Sequence, residues 1–199
     1  MIRTYLFLCL LLLGGLAYGQ SIPPASSALQ LGYSGELGFH PGLQIGYEWA
    51  VKDWRKTRKN GKVRQKSLVS HASLSHIWLI DTRSSTFIEG GAYYRTLKPS
   101  GWTRQWSLRL GAAYLENAGT TYVEQEDGSS ESFQFIGRTY ATLSLGHGWG
   151  YDFRAQQDLA LAVYLQPQAS LLFGYNGQAL PFIRLEAGVR YYLGSQARS

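Results

Sequence analysis

The sequence predicts an all-β chain, an eight-stranded antiparallel up-and-down transmembrane β-barrel, and three observations predict it. The first is the closing stretch 182–193. Ile183, Leu185, Ala187, Val189, Tyr191 and Leu193 alternate with Arg184, Glu186, Gly188, Arg190 and Tyr192. Strand side chains alternate faces with period 2, so one face is oily and the other polar and charged. Lipid suits the first face and a polar barrel interior the second. The second observation is composition. Charged residues make up 16% of the 199, aromatics 14%, and there are 23 glycines. Typical soluble domains carry about 25% charge. The third is repetition, since the same two-faced pattern recurs along the chain.

Ahead of the pattern lies a targeting signal. Arg3 supplies its positive end, Tyr5 to Leu16 its apolar run, and Ala17-Tyr18-Gly19 a small-x-small cleavage site. The expected organisation is a signal peptide at 1–19, an N-terminal lead at 20–28, a barrel at 29–194 and a tail at 195–199. Cys9 is the sole cysteine and leaves with the signal, which excludes disulfides, thiol catalysis and cysteine-metal sites from the mature chain. No later run approaches the ~18 apolar residues of a spanning helix. An exported chain that enters a membrane without such a helix does so as a closed barrel, and the expected location is the bacterial outer membrane.

Strand one runs over Leu29 to Phe39, with Leu29, Leu31, Tyr33, Leu37 and Phe39 outward. His40-Pro41-Gly42 turns into strand two, where Leu43, Ile45, Tyr47, Trp49 and Val51 share a face. Lys52 to Lys66 holds eight basic residues (Lys52, Arg55, Lys56, Arg58, Lys59, Lys62, Arg64 and Lys66) against Asp53. With Asn60-Gly61 inside it, the stretch reads as a solvated basic loop. Its net +7 exceeds the formal +6 of the whole chain, so the rest of the chain is nearly neutral. Strand three, about 68–80, alternates least, because Ile77 to Ile80 is apolar on both faces. Strand four spans about 86–97, with Ile88, Ala92 and Tyr94 outward and Glu89, Gly91, Tyr93 and Arg95 inward. Strand five, about 105–115, turns Trp106, Leu108, Leu110, Ala112 and Tyr114 outward.

Glu116 to Glu131 has five carboxylates and no basic residue, and reads as a long acidic loop. Strand six spans about 135–149 and strand seven about 159–173. Within strand seven, Pro167 either costs a ladder hydrogen bond or marks a bulge. Asn176-Gly177 is the last turn. Eight strands put both termini on one side, which is periplasmic in bacterial barrels. With that count the acidic loop falls outside and the basic loop on the periplasmic side, whereas one strand more or fewer would move the basic loop outward.

An eight-stranded interior is just wide enough for side chains to fill. The inward set contains Glu36, Glu48, Glu89 and Glu186 with Arg95, Arg109, Arg138, Arg184 and Arg190. Buried charges need partners, so an ion-pair network closing the lumen is expected. Trp49, Trp78, Trp106, Trp149, Tyr191 and Tyr192 fall near strand ends, as interfacial girdles do.

The signal, the eight amphipathic strands and the closing Gly188-Val189-Arg190-Tyr191-Tyr192-Leu193 resemble the small outer-membrane barrels of the OmpA-domain and OmpX type over residues 29–193. More narrowly, Gly32-Tyr33-Ser34-Gly35-Glu36, His40-Pro41-Gly42 and Gly46-Tyr47-Glu48 resemble an outer-membrane barrel family of Bacteroidota. The resemblance implies that the last strand is read by the barrel-assembly machinery, although Gly194 to Ser199 follow its terminal aromatics. It brings no catalytic residues.

His71-Ala72-Ser73 puts a histidine and a serine on one strand face, as in outer-membrane lipid A deacylases, with Glu89 the candidate acid. A turn centred near residue 83 sets Glu89 opposite Ile77 and Arg95 opposite His71. About six residues of strand, roughly 20 Å, then separate the acid from the histidine. That is too far for a triad. His40, His71, His76 and His147 show no ligand spacing, so neither a metal nor any other cofactor is expected. Gly146-His147-Gly148-Trp149-Gly150 lacks the following helix of a phosphate loop, and its glycines suit bending or close packing in a strand.

The expected function is that of an outer-membrane barrel, structural, adhesive or partner-binding through its loops, and not an enzyme. A narrow passive pore for small solutes, a lipid A-modifying enzyme and a soluble ligand-binding barrel are the alternatives. Expected partners are outer-membrane lipid and lipopolysaccharide, the barrel-assembly machinery, and a protein at a charged loop. Nucleic acid is not expected, and the barrel is expected to be a monomer.

Overall fold

In the computed structural model, residues 27–36, 40–57, 63–79, 83–117, 121–124, 130–133, 137–157, 159–175 and 178–193 are described. The expected signal, most of the lead and the tail lie outside them. The elements are β1 (Ser27–Glu36), β2 (Gly42–Thr57), β3 (Val63–Leu79), β4 (Arg83–Leu97), β5 (Trp102–Asn117), β6 (Thr121–Glu124), β7 (Ser130–Phe133), β8 (Gly137–Asp152), the short helix α1 (Arg154–Gln157), β9 (Leu161–Tyr175) and β10 (Gln178–Leu193). Eight strands close a ring in the order β1-β10-β9-β8-β5-β4-β3-β2, and every neighbouring pair is antiparallel. The seam joins first strand to last, from Ser27↔Leu193 to Glu36↔Arg184. Closure leaves no sheet edge around the wall, so its backbone donors and acceptors are satisfied internally.

The wall is inverted relative to a soluble protein. Leu31 (60% exposed), Leu110 (63%) and Ile88 (64%) stand outside, while Glu48, Arg109 and Arg184 are at most 1% exposed inside. On β5 the outward face runs Trp106, Leu108, Leu110, Ala112, Tyr114, an apolar band with an aromatic at each end. Eight strand steps tilted by ~40° make that band roughly 20 Å tall, close to the hydrocarbon span of outer-membrane barrels.

Ser27 and Leu193 mark one end of the barrel, called proximal here. The β2–β3 connection, the β4–β5 turn and α1 lie at this end, and the β5–β8 connection lies at the distal one. At the proximal β4–β5 turn, Gly101 adopts φ 84° and its N–H donates to Lys98 O at 3.0 Å. A side chain there is strained in a left-handed backbone. Gly101→Ala should cost about 1 kcal/mol, read as a lower urea midpoint for unfolding of the reconstituted barrel.

Three features depart from the sequence expectation, and a fourth finds its cause. The basic stretch is not all loop. Lys52 to Thr57 and Val63 to Lys66 prolong β2 and β3 as a paired hairpin, from Lys52↔Leu68 to Thr57↔Val63, past a bulge at Val51. Charged side chains do not oppose a ladder whose backbone groups are paired and whose side chains reach water. The acidic stretch likewise contains a small sheet of its own, β6 against β7. The double apolarity of strand three has a cause, since Ile77 points inward into an apolar layer. Finally, Tyr192 is 4% exposed and faces the lumen, so it belongs to no girdle, whereas Trp78, Trp106, Trp149 and Tyr191 stand outside.

Pro167 shows which side of β9 it weakens. Pairing with β10 runs through Leu185↔Pro167, but pairing with β8 stops at Gly146↔Gln168 and resumes at Trp149↔Leu165. The missing N–H faces β8.

Candidate functional site

Inward-facing side chains fill the barrel in layers. At the proximal mouth, Tyr192 donates to Asp152 at 3.2 Å. Arg154, on α1, binds the same carboxylate at 2.7 Å and lies over the Tyr192 ring. Tyr192 packs with Ala28 and Ala162 beneath it. The short helix thus places a guanidinium across the opening.

The charged middle follows. Glu48 accepts from Arg95 at 2.6 Å, from Arg190 at 2.8 Å and from Gln30 at 2.5 Å. Arg95 and Arg190 both donate to Gln105, which in turn donates to Gln166. Arg109 binds Glu186 through both terminal nitrogens at 2.8 Å, donates to Tyr93 at 2.7 Å and stands 3.6 Å from Glu89. Glu89 also accepts from Arg184 at 2.5 Å and from Ser144 at 2.6 Å. Arg184 lies 4.2 Å over Phe87, and Arg190 lies 4.1 Å over Tyr164. Planar guanidiniums suit this place because they bind carboxylates bidentately and stack on rings at once.

Toward the distal end an apolar layer crosses the lumen, built from Ile77, Phe87, Ala113, Leu115, Tyr140, Leu172 and Phe182. Phe87 and Phe182 meet with ring centroids 5.5 Å apart. No single strand announces this layer, because each supplies only one or two of its members.

Of the nine charges assigned inward from the sequence, the structure brings together Glu48, Glu89, Arg95, Arg109, Arg184, Glu186 and Arg190. Glu36 stays apart at the distal rim, 3.7 Å from His40, and Arg138 is exposed. Both have the inward parity but sit beyond the filled section. The members that sequence reasoning missed are the polar fillers Gln30, Gln105, Gln166, Ser144 and Tyr93. Inward parity identified their face, but only the register shows which charges they touch. Gly146, Gly148 and Gly150 face inward on β8, and Gln166 lies against the first two. The glycine-rich run therefore leaves room for lumen side chains, while His147 and Trp149 meet edge to face outside it.

The His71–Ser73–Glu89 separation needs correction. The β3–β4 register is Ser73↔Glu89 and His71↔Gly91, four residues from the expected one. Glu89 therefore lies across from Ser73, and the distance argument against a triad fails. Occupancy replaces it. Glu89 is held by Arg184 and Ser144, while His71 is 1% exposed, bonds Gln30 at 2.8 Å and stacks on Tyr93. These groups face a filled lumen, not the lipid-facing surface where an acyl chain could lie.

Closed wall, apolar exterior and charged interior define a small eight-stranded β-barrel of the outer-membrane kind. No protein-family model matches the chain, and no curated protein matches it. Among solved structures it is similar to the N-terminal β-barrel domain of Pseudomonas aeruginosa OprF. The TM-score is 0.52 at 10% identity, covering 85% of this chain and 98% of that one. It is also similar to Neisserial surface protein A (TM-score 0.44, 10% identity, 84% and 94% covered). A further similarity is to Ail, the attachment invasion locus protein of Yersinia pestis (TM-score 0.44, 11% identity, 86% and 100% covered).

Proposed function

We propose that the chain is an outer-membrane barrel with a sealed lumen, acting as a surface or partner-binding module through its two ends. The buried ion-pair network carries this reading. Seven charges fill the middle of the barrel, and the apolar layer and the Arg154–Asp152–Tyr192 group close it on either side. A conducting lumen would need these pairs broken, and breaking a buried pair costs about 3–5 kcal/mol. The apolar exterior supports placement in a bilayer, with the termini periplasmic as in bacterial barrels. The narrower resemblance to Bacteroidota barrels rests on the Gly32–Glu36, His40–Gly42 and Gly46–Glu48 motifs alone.

The two ends differ in charge. The proximal hairpin carries the basic cluster, and the distal connection carries the acidic segment 116–131. Contact with partners falls to these ends, because the ion-pair network and the apolar layer occupy the lumen and the wall faces lipid. Planar-bilayer recording of the purified, refolded barrel tests the sealed state. The expected trace is flat, and stable conductance steps of porin size would reject it in favour of the pore.

A further inference from the structure

The outer wall changes character below its apolar band at the proximal end. Antiparallel partners share a face, so the register aligns the outward residues of four strands. Leu68↔Tyr94 and Tyr94↔Trp106 form the last row of the band. One step further come Trp54↔Lys66, Lys66↔Thr96 and Thr96↔Arg104. Beyond these, Lys56 pairs with Arg64. Asp53 is the only carboxylate in the stretches 52–57, 63–68 and 94–106, and its pairing with Ser67 puts it on the opposite face. The outward face here is cationic and aromatic, with no acid to neutralise it.

A cleft of about 200 Å³ opens in this face, lined by Arg64, Tyr94, Thr96, Lys98, Arg104 and Trp106. Its walls are held in place. Lys66 donates to Tyr94 Oη at 2.6 Å, Trp54 packs on the same ring at 5.9 Å, and Arg104 reaches His147 at 3.4 Å. Trp106, 61% exposed, borders the cleft on the side of the apolar band.

We propose that this cleft binds the headgroup of an anionic glycerophospholipid in the leaflet that faces the termini. Arg64, Lys98 and Arg104 hold the phosphate, Thr96 offers a hydroxyl, and the acyl chains rise past Tyr94 and Trp106 along the band. Charge complementarity selects the occupant. Three cations converge where a membrane-embedded barrel meets the headgroup layer, beside aromatics of the kind that sit at that depth. An extended acidic protein would meet the cations but leave Trp106 and the apolar wall above it uncovered. The proposal rests on the membrane-spanning reading, and commits to phospholipid because the cleft is proximal.

The test uses the full barrel refolded into phosphatidylcholine vesicles containing phosphatidylglycerol. Heat-modifiable gel migration reads insertion. Electron spin resonance of spin-labelled lipids reads the preference for phosphatidylglycerol over phosphatidylcholine at the barrel surface. That preference should be about tenfold at low salt and fall toward one at high salt. The triple variant Arg64→Gln, Lys98→Gln, Arg104→Gln should insert normally and lose the preference. A charge-matched control drawn from other cations of the same basic stretch, Arg55→Gln, Arg58→Gln, Lys59→Gln, should retain it within about twofold. Equal loss in both triples would mean diffuse attraction and overturn the site. Tighter retention of bisphosphorylated lipid A than of phosphatidylglycerol would overturn the phospholipid assignment. A chain that never inserts defeats the membrane reading itself, whereas one that inserts without preference defeats only the cleft.

Discussion

Arg109→Ala should destabilise the folded barrel by about 3–5 kcal/mol, the usual cost of removing one arm of a buried ion pair. Arg109 is 1% exposed, doubly bonded to Glu186, bonded to Tyr93 and close to Glu89. Its loss leaves the buried Glu186 carboxylate with no cation bonded to it among the described residues. Denaturant unfolding in vesicles, followed by tryptophan fluorescence, measures the change. Two companions make the result diagnostic. Arg138→Ala, at an exposed position, should stay within about 0.5 kcal/mol of the parent. The double change Arg109→Met with Glu186→Leu should recover most of the loss, because replacing a whole buried pair by apolar groups is far cheaper than breaking it. A loss under about 1 kcal/mol for Arg109→Ala would mean that water reaches the pair and the lumen is not sealed.

Leu110→Arg should cost about 2–4 kcal/mol in a bilayer, the range for a cation at mid-depth on the lipid face. Leu110 is 63% exposed and lies midway between the aromatic ends of the β5 band. If the exterior met water, the same change would put an arginine on a wet surface, within about 0.5 kcal/mol of neutral. The substitution thus asks which solvent surrounds the wall. It is read by the same unfolding transition, alongside the fraction of protein that resists urea extraction from vesicles. A neutral result would turn the apolar exterior into an interface with some other surface and remove the membrane.

The wall was legible because period 2 is a strong signal. Leu29, Leu31 and Tyr33 face one way and Gln30 and Ser34 the other, and the closing pair β1–β10 follows from the two cleanest strands. Depth was less legible than face. Glu36 and Arg138 have the same parity as Glu48 and Arg95, and nothing in the alternation says that they sit past the filled section. The β3–β4 register was hidden for a related reason. Apolar residues on both faces near Ile77 blur where the turn begins, and a four-residue error moved Glu89 away from Ser73. The paired segments 52–57 and 63–66 read as loop in the sequence because charge density resembles solvation. Outside the lipid, however, a strand needs only a hydrogen-bonded partner.

The network has an uneven distribution along the chain. Arg184, Glu186 and Arg190 all belong to β10, and they are the partners of Glu89, Arg109 and Glu48 respectively. Each of the groups described around Glu48, Glu89 and Arg109 therefore lacks a charged member until the sixteen-residue strand β10 docks. A chain that stops short, or docks its final strand out of register, leaves carboxylates and guanidiniums stranded in the interior at several kcal/mol each. Stability arrives together with completeness, so incomplete copies are disfavoured by their own electrostatics. The closing strand serves as a lock that only the complete, correctly registered ring can turn.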